Sequence, residues 1–248
     1  MTSPAQHADR WQPYIDRIQQ GEWRSVVLRD MILDDIKQQG LIKPVLMDIG
    51  CGHGFDTSTE LQQSLADIAG EYIGVEPDRE ITLQPFITSA HRSFFEDAAV
   101  PDQSVDMAFC VMVLEHIPDP QKFWNKVHAT LKPGGVFWAL TVDSRHWFAL
   151  GSQAMEAMHI KDAYLRATHG ERGEERYENY PVHYRTNSPR QIERLSRAFS
   201  DRSVYSVFQP GSIGYYFPKL LKPAAELACK LTHTVTGVGN NLIVRAQK

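Results

Sequence analysis

Short apolar runs alternate with amphipathic stretches through the first part of the chain. The runs "PVLMDIG", "YIGVE", "VDMAFCVMV" and "VFWALTV" are almost continuously apolar, which is typical of strands covered on both faces of a sheet. The stretches "DTSTELQQSLADIAG" and "DPQKFWNKVHATLKPGG" place apolar residues at helical spacing, and Asp119 is expected to be the N-cap of the second. We expect a further helix in "PDREITLQPFITSA". Strands and helices that alternate in this way form parallel βαβ units. The pattern predicts an α/β fold with a doubly wound, mostly parallel sheet and helices on both faces.

The alternation stops after the fourth of these strands. Residues 144–187 are rich in His, Tyr, Arg and Glu, and one helical stretch is predicted around Ala154 to Ala167. Regular patterning returns at "SPRQIERLSRAF", where Ser188 occupies an N-cap position. The runs "SVYSVFQ" and "NNLIVRAQ" are typical of two final strands.

We expect a single domain that covers residues 1–248. An N-terminal helical cap is predicted over residues 1–40, because apolar positions recur there at helical spacing. Two segments, 144–187 and 211–236, interrupt the sheet pattern. We expect these insertions to cover a substrate pocket.

The composition excludes several classes of protein. The chain of 248 residues is 42% apolar and 23% charged, as in ordinary globular domains. Its formal net charge of -4 argues against a nucleic-acid binder that depends on bulk electrostatics. The cysteines at 51, 110 and 229 lack metal-ligand spacing, so we expect reduced thiols, no metal site and a cytoplasmic location. We also expect no signal peptide and no transmembrane segment, which would need roughly 20 apolar residues.

Three glycines at alternate positions follow the first buried strand. Gly50, Gly52 and Gly54 form this series, and Asp48 precedes it by two residues. One interpretation is a tight turn between strand and helix. A dinucleotide site would require G-x-G-x-x-G, but Phe55 stands where the third glycine should fall. The remaining interpretation is a backbone that touches a ligand at the carboxyl edge of the sheet.

The later motifs narrow these interpretations. Glu76 in "GVEPD" ends the next strand, where a carboxylate can accept both hydroxyl hydrogens of a ribose. With "VLEHIPDP" and "LKPGG", the acid-x-G-x-G-x-G pattern resembles the motifs of class I S-adenosylmethionine-dependent methyltransferases, particularly the ubiquinone/menaquinone methyltransferase-like branch. The resemblance covers about residues 25–142 in continuous order. It implies a seven-stranded Rossmann-like methyltransferase fold, S-adenosylmethionine as cofactor and S-adenosylhomocysteine as product.

The resemblance also implies roles for the residues around the glycines. Gly50, Cys51 and Gly52 would wrap the methionine and ribose parts of the cofactor. Asp48 would hold this loop and the cofactor's ammonium group, and Glu76 would bind the ribose hydroxyls.

The adenine side departs from the family pattern. Pro77 would line one face of the adenine, but "SFFEDAAVPD" puts phenylalanines where the family often has an acidic residue. We therefore assign Phe95 and Glu96 to this position. Glu96 or Asp97 would bind the adenine amine in a shifted register, with Glu96 favoured, or backbone groups alone would do so. At the end of the strand "VDMAFCVMV", Cys110 and Val111 would present backbone carbonyls to the methionine moiety.

The polar residues after the strand "VFWALTV" are candidates for the acceptor side. His146 or His183 would act as general base, which is needed only if the acceptor must lose a proton. Either histidine could instead be structural, hydrogen-bonded to the backbone. Arg185 would pair with an anionic substrate or with the glutamates within 171–178. The further candidates for substrate binding are His116, Trp147 and Tyr184.

The sequence thus favours a methyltransferase that acts on a small-molecule, lipid-linked or glycan-type acceptor, at oxygen rather than nitrogen or carbon. Two alternatives are a non-catalytic cofactor-binding partner subunit and a nicotinamide-dependent oxidoreductase. We expect a monomer or homodimer and no nucleic-acid partner. The segment "IGYYFPKLLKPAAELACKL" would cover the acceptor pocket, form a dimer seam or rest on a membrane surface.

Overall fold

The computed structural model describes residues 4–169 and 181–248. One sheet is built from seven strands: β1 (Val45–Ile49), β2 (Glu71–Val75), β3 (Ser89–His91), β4 (Val105–Val111), β5 (Leu131–Val142), β6 (Asp201–Val207) and β7 (Asn241–Gln247). The described residues also form eight α-helices: α1 (Pro4–Gln19), α2 (Arg24–Gln38), α3 (Thr59–Ala66), α4 (Pro120–Thr130), α5 (Trp147–Ala157), α6 (Lys161–His169), α7 (Pro189–Leu195) and α8 (Lys222–Thr236).

The strand order across the sheet is β3-β2-β1-β4-β5-β7-β6. The strand pairs from β3 to β5 are parallel, and β7 runs antiparallel to both of its neighbours. This confirms the predicted doubly wound, mostly parallel sheet. The order reverses between β1 and β4, and ligands of open α/β sheets bind at such a reversal, beyond the carboxyl ends of the strands.

Local capping signals place several helix starts. Asp119 accepts a hydrogen bond from the Lys122 N–H, and Ser188 accepts one from the Gln191 N–H, which confirms both predicted N-caps. Ser58 caps α3 in the same way through the Leu61 N–H. Each side chain satisfies a backbone donor that has no partner within its own helix.

Apolar layers cover both faces of the sheet. On one face α1 and α2 bury residues such as Trp11 and Met31, so the predicted N-terminal cap forms part of the core. On the other face α4 and α7 bury residues that include Trp124 and Ile192. None of the described helices has both the length and the apolar composition that a membrane crossing requires.

A buried ion pair fastens α2 to the sheet. Arg245 of β7 donates to both oxygens of Asp35 of α2, from Nε at 2.8 Å and from Nη2 at 3.2 Å. The Trp138 Nε1–H donates to the same carboxylate at 3.0 Å. All three residues are buried, and Arg245 Nη1 also donates to Asp201 Oδ2 at 3.2 Å, so Asp35 is the shared acceptor of Arg245 and Trp138.

The helix predicted in "PDREITLQPFITSA" is absent, and this prediction was wrong. The segment is a loop that leads into the short strand β3. Pro85 lies in its middle, where it would break a helix. The Arg92 guanidinium donates to the carbonyls of Asp78 and Ile81, both at 2.8 Å, and so replaces the missing helical hydrogen bonds.

The helical stretch predicted around Ala154 to Ala167 is two helices, α5 and α6. The chain leaves α5 through Met158 and adopts a left-handed conformation at His159, with φ of +56°. A left-handed residue cannot continue a right-handed helix, so the pattern of apolar positions spans a break.

Candidate functional site

The glycine loop joins β1 to α3 at the point where the strand order reverses. The N–H groups of Gly50 and Cys51 both donate to the Val75 carbonyl, at 2.8 and 3.3 Å, which ties the loop to the end of β2. Gly50 and Gly54 both have a φ of +78°, in the region that favours glycine. These two glycines are therefore required by the fold of the loop itself.

Gly52 is required for a different reason, the proximity of Glu76. A Cβ on Gly52 would lie 2.7 Å from Glu76 Oε2 and 3.0 Å from Ile81 Cδ1. The Gly52 N–H donates to Glu76 Oε2 at 3.0 Å, and the Asp78 N–H donates to Glu76 Oε1 at 3.0 Å. Each oxygen keeps a second lone pair. The backbone thus orients a buried carboxylate that can still accept two hydrogen bonds, as two neighbouring hydroxyls would require.

Asp48 is connected to the same loop through Gln62. Asp48 Oδ2 accepts hydrogen bonds from Gln62 Nε2 at 2.7 Å and from the Tyr72 hydroxyl at 2.9 Å. Gln62 Nε2 also donates to the Cys51 carbonyl at 2.8 Å. Burial raises the pKa of Asp48 to about 7 in spite of these hydrogen bonds. Gln62 Oε1 is buried without a hydrogen-bond partner among the described residues, so the site offers acceptors to a cationic donor.

A second ion pair, between Arg24 and Asp56, holds the end of the glycine loop that precedes α3. Arg24, at the start of α2, donates to both oxygens of Asp56 at 2.9 Å, and the Ser25 hydroxyl also donates to this carboxylate. Burial opposes the ionisation of Asp56, but Arg24 holds its pKa below the ordinary value. Asp56 itself has a φ of +48°, so this pair holds a strained residue in place.

The residues predicted to contact the adenine differ in how deeply their side chains are buried. The Phe95 ring is buried against Phe123, with ring centroids 5.3 Å apart, so its side chain serves packing. Glu96 is half-buried, and burial raises its pKa. Pro77 is also half-buried, next to Glu76 at the end of β2. Because the Phe95 side chain is used for packing, any contact between Phe95 and adenine would be made by its backbone.

The end of β4 lies beside the glycine loop, because Cys110 is in register with Ile49 of β1. Burial raises the pKa of the Cys110 thiol well above its usual range, so the thiol stays neutral. Directly after Val111, Met112 takes a φ of +55° and donates its N–H to the Leu140 carbonyl at 2.8 Å. The chain turns sharply here, at the edge of the sheet where the methionine moiety was expected.

Glu115 is the buried acid on the acceptor side. Its Oε2 accepts a hydrogen bond from Thr141 Oγ1 at 2.8 Å, and Thr141 Oγ1 accepts one from Asn187 Nδ2 at 2.7 Å. The Glu115 carbonyl accepts the N–H groups of His183 and Tyr184 at 2.7 and 3.2 Å. Burial and the charge of Glu115 raise the pKa of Tyr184 to about 12. One residue thus joins β4, β5 and the 183–187 segment.

The sequence reasoning missed Glu115 because it singled out the neighbouring His116. The available signal was an acid that directly follows the apolar run "FCVMVL", since a buried acid needs a partner or a function. His116 instead donates from Nδ1 to the Pro181 carbonyl at 3.1 Å and so fixes the returning segment.

His146 does not have the surroundings of a general base. It is the N-cap of α5, where Nδ1 accepts the Phe148 N–H at 3.3 Å. The residue is buried, and burial lowers its pKa to about 4. Its Nε2 is buried and has no partner among the residues that the structure describes. An imidazole that caps a helix in this way supports the structural alternative for His146.

The other acceptor candidates divide between the surface and the interior. His183 and Arg185 are exposed, and Arg185 donates to the Pro118 carbonyl at 2.7 Å. The glutamates within 171–178 that were considered as its partners lie outside the described residues. Trp147, the first residue of α5, is half-buried against Phe217, with ring centroids 6.0 Å apart, so it packs α5 against the segment before α8.

The glycine loop lies next to the oriented carboxylate of Glu76, at the point where the strand order of the sheet reverses. This arrangement is typical of Rossmann-like proteins that bind a nucleoside cofactor. The family model described as a methyltransferase domain matches residues 16–198. The chain therefore belongs to the class I S-adenosylmethionine-dependent methyltransferases, as the motifs predicted.

Individual relatives are distant. A ubiquinone biosynthesis O-methyltransferase of Proteus mirabilis is 28% identical over 140 residues, which cover 54% of this chain and 56% of that protein. The chain thus spans about half the length of the curated relatives it matches.

Solved structures share the fold. A SAM-dependent methyltransferase of Thermotoga maritima has a TM-score of 0.54 at 15% identity, over 98% of this chain and 95% of that one. The phosphoethanolamine N-methyltransferase 2 of Haemonchus contortus, in complex with S-adenosyl-L-methionine, has a TM-score of 0.53 at 15% identity, over 88% of this chain and 52% of that one.

Three features of the site fit S-adenosylmethionine, the cofactor of this family. Gly52 has no Cβ and so lets its backbone approach Glu76 closely, and the Glu76 carboxylate keeps two unused lone pairs. Asp48 and the unpaired Gln62 Oε1 offer acceptors for an ammonium group. The acids of the site also suit a positively charged sulfonium, because no anionic phosphate has to be accommodated.

Proposed function

We propose that this chain transfers the methyl group of S-adenosylmethionine to a hydroxyl oxygen of a small-molecule or lipid-linked acceptor. The arrangement of Gly52 and Glu76 carries the proposal, since it combines backbone access with an oriented ribose acceptor. The preference for oxygen is supported by the relatives named as ubiquinone biosynthesis O-methyltransferases.

Each part of the cofactor would be held by a different part of the site. Glu76 would bind the ribose hydroxyls, Asp48 and Gln62 would hold the ammonium group, and the backbone of Gly50 to Gly52 would line the methionine. When bound, S-adenosylmethionine supplies an electrophilic methyl group on a good leaving group. The task of the protein is then to align the acceptor and to exclude water.

On the acceptor side we propose Glu115 and Tyr184 in place of the two histidines. Glu115 is buried just after β4 and accepts a hydrogen bond from Thr141 near the end of β5, so it lies at the sheet edge where the methyl group would be presented. As a general base it would take the hydroxyl proton of the acceptor. The pKa of Tyr184, about 12, lies far above neutral pH, so its hydroxyl keeps its proton and can orient the acceptor by donating a hydrogen bond.

Calorimetric titration followed by a product screen tests the proposal. Titration with S-adenosylmethionine and S-adenosylhomocysteine measures cofactor binding. Mass spectrometry then searches phenols, catechols, amines and lipid extracts for products that gain a methyl group from labelled cofactor. Methylated hydroxyls that are lost in Glu115→Gln, with cofactor affinity retained, would support the whole assignment.

Other outcomes separate the remaining possibilities. Products methylated only at nitrogen or carbon would contradict the preference for oxygen. Tight cofactor binding without product from any acceptor class would favour the non-catalytic partner subunit instead. A folded sample that binds neither cofactor form would exclude the proposed function.

A further inference from the structure

The helix α8 carries an exposed apolar stripe. Leu220, just before the helix, is 94% exposed, and Leu227, Leu231 and Val235 are 57%, 53% and 80% exposed. The exposed residues Ala224, Leu227, Leu231 and Val235 recur every three or four positions and share one face of α8, and Leu220 extends this row into the turn before the helix. We name this face, residues 220, 224, 227, 231 and 235, the α8 stripe. Large apolar side chains that line up in this way mark a surface that binds something.

The opposite face of α8 is fastened to the protein. Ala225 and Cys229 are buried there, and Cys229 lies in a small apolar cluster with Phe208 and Ile213. The Glu226 carboxylate accepts the N–H groups of Gly211 and Gly214, at 3.0 and 3.1 Å. The α8 stripe therefore faces outward because the helix is anchored from behind, and not because the helix is loose.

Basic side chains accompany the stripe. The segment 219–236 contains Lys219, Lys222 and Lys230 but one acid, Glu226, in a chain whose formal net charge is -4. That acid is already engaged by backbone donors, whereas Lys219 and Lys230 are exposed. An apolar helix face with flanking lysines matches the interface of a negatively charged lipid bilayer, where lysines meet headgroups and leucines enter the acyl boundary.

A second helix with exposed apolar residues stands beside this region. Leu150 of α5 is exposed, as are Met158 and Ile160 just beyond its end. A contact between two aromatic rings joins α5 to the segment before α8, since the centroids of Phe148 and Tyr216 are 4.8 Å apart. Both helices belong to the insertions that follow β5 and β6.

We infer that the α8 stripe lies in the interface of an anionic membrane, with the lysines on the lipid headgroups. The inference extends the proposed function, because a protein seated in this way would take a lipid-linked acceptor from the bilayer. Binding to lipid itself needs neither cofactor nor turnover. Its failure is therefore distinguishable from failure of the proposed methyl transfer.

Vesicle flotation of the full chain tests the inference. We expect the protein to float with vesicles of phosphatidylcholine and phosphatidylglycerol, and to remain unbound with phosphatidylcholine alone. The double variant Leu227→Ser/Leu231→Ser should abolish flotation. The double variant Lys219→Gln/Lys230→Gln should weaken binding by about tenfold or more, at about 1 kcal/mol for each lysine.

Ile42→Ser is the matched control. Ile42 is an equally exposed apolar residue, but it precedes β1 at the opposite edge of the sheet, so this variant should float like the parent protein. Circular dichroism checks that all variants are folded. Absence of flotation in the parent protein would overturn the inference. So would a homodimer in sedimentation that dissociates in Leu227→Ser/Leu231→Ser, because a second copy would then cover the stripe.

Discussion

Asp48 combines burial, two hydrogen bonds and a pKa of about 7 in the absence of a ligand. A cationic ammonium beside it would favour the ionised form and lower this pKa on binding. Cofactor affinity should therefore decrease as the pH falls below about 7, by up to about tenfold per pH unit. It should also decrease above about pH 8, where the α-amino group of the cofactor loses its proton. Calorimetric titration across this pH range measures the effect.

Asp48→Asn is the control for this pH dependence. The asparagine retains one oxygen, and a single oxygen of Asp48 already accepts both hydrogen bonds. The variant should lose the part of the pH dependence that comes from the carboxyl group. Parallel curves for the parent protein and Asp48→Asn would contradict a contact between this side chain and the cofactor.

Glu76 is the residue on which ribose binding depends. Glu76→Ala should weaken the binding of S-adenosylhomocysteine by about 1–3 kcal/mol, because two cofactor hydroxyls and two backbone N–H groups lose their acceptor. Glu80→Ala, in the same loop but exposed, should bind the cofactor like the parent protein. Equal affinities for the two variants would show that the ribose lies elsewhere.

At the scale of the elements, the ion pair between α2 and β7 should dominate stability. Asp35→Ala leaves the buried Arg245 and Trp138 without their common acceptor, so we expect a loss of about 3–5 kcal/mol in the free energy of unfolding. The neighbouring Asp34→Ala removes a partly exposed pair with Arg10 and should cost less than about 1 kcal/mol. Urea unfolding compares the two, and similar losses would contradict the role of the buried pair.

The elements that the sequence predicted correctly are those with local signals. The caps at Asp119 and Ser188 and the apolar strands depend on neighbouring residues, and the structure confirms them. The loop after β2 was missed because Arg92 satisfies its carbonyls from more than ten residues away. Tertiary partners of this kind leave no periodic pattern in the sequence.

In the candidate site, too, the residues that belong to a local motif could be predicted, and those that depend on tertiary contacts could not. The glycine loop and Glu76 follow a linear motif, so their positions at the sheet edge could be predicted. The burial of His146 could not be predicted, because it depends on packing by segments that are distant in the sequence. Glu115 was missed because its links to Thr141 and Asn187 join positions far apart in the chain.

At the scale of the whole molecule, cofactor binding should stabilise the fold. S-adenosylmethionine at about a hundred times its Kd should add about 2.7 kcal/mol to the free energy of unfolding. For a chain of this size that corresponds to an increase in Tm of about 5–10 °C. Differential scanning fluorimetry measures the shift, with NADH as the control ligand. A shift with NADH and none with S-adenosylmethionine would contradict the cofactor assignment.

The position of β7 has a consequence for biosynthesis. β7 separates β5 from β6 in the sheet, although it is the seventh strand to be translated. Until it leaves the ribosome, β5 presents an open edge and β6 lacks a strand to pair with, while β1, β2 and β4 are already complete. A nascent chain therefore passes through a stage in which it could pair with another nascent chain, and slow translation before Asn241 would prolong that hazard.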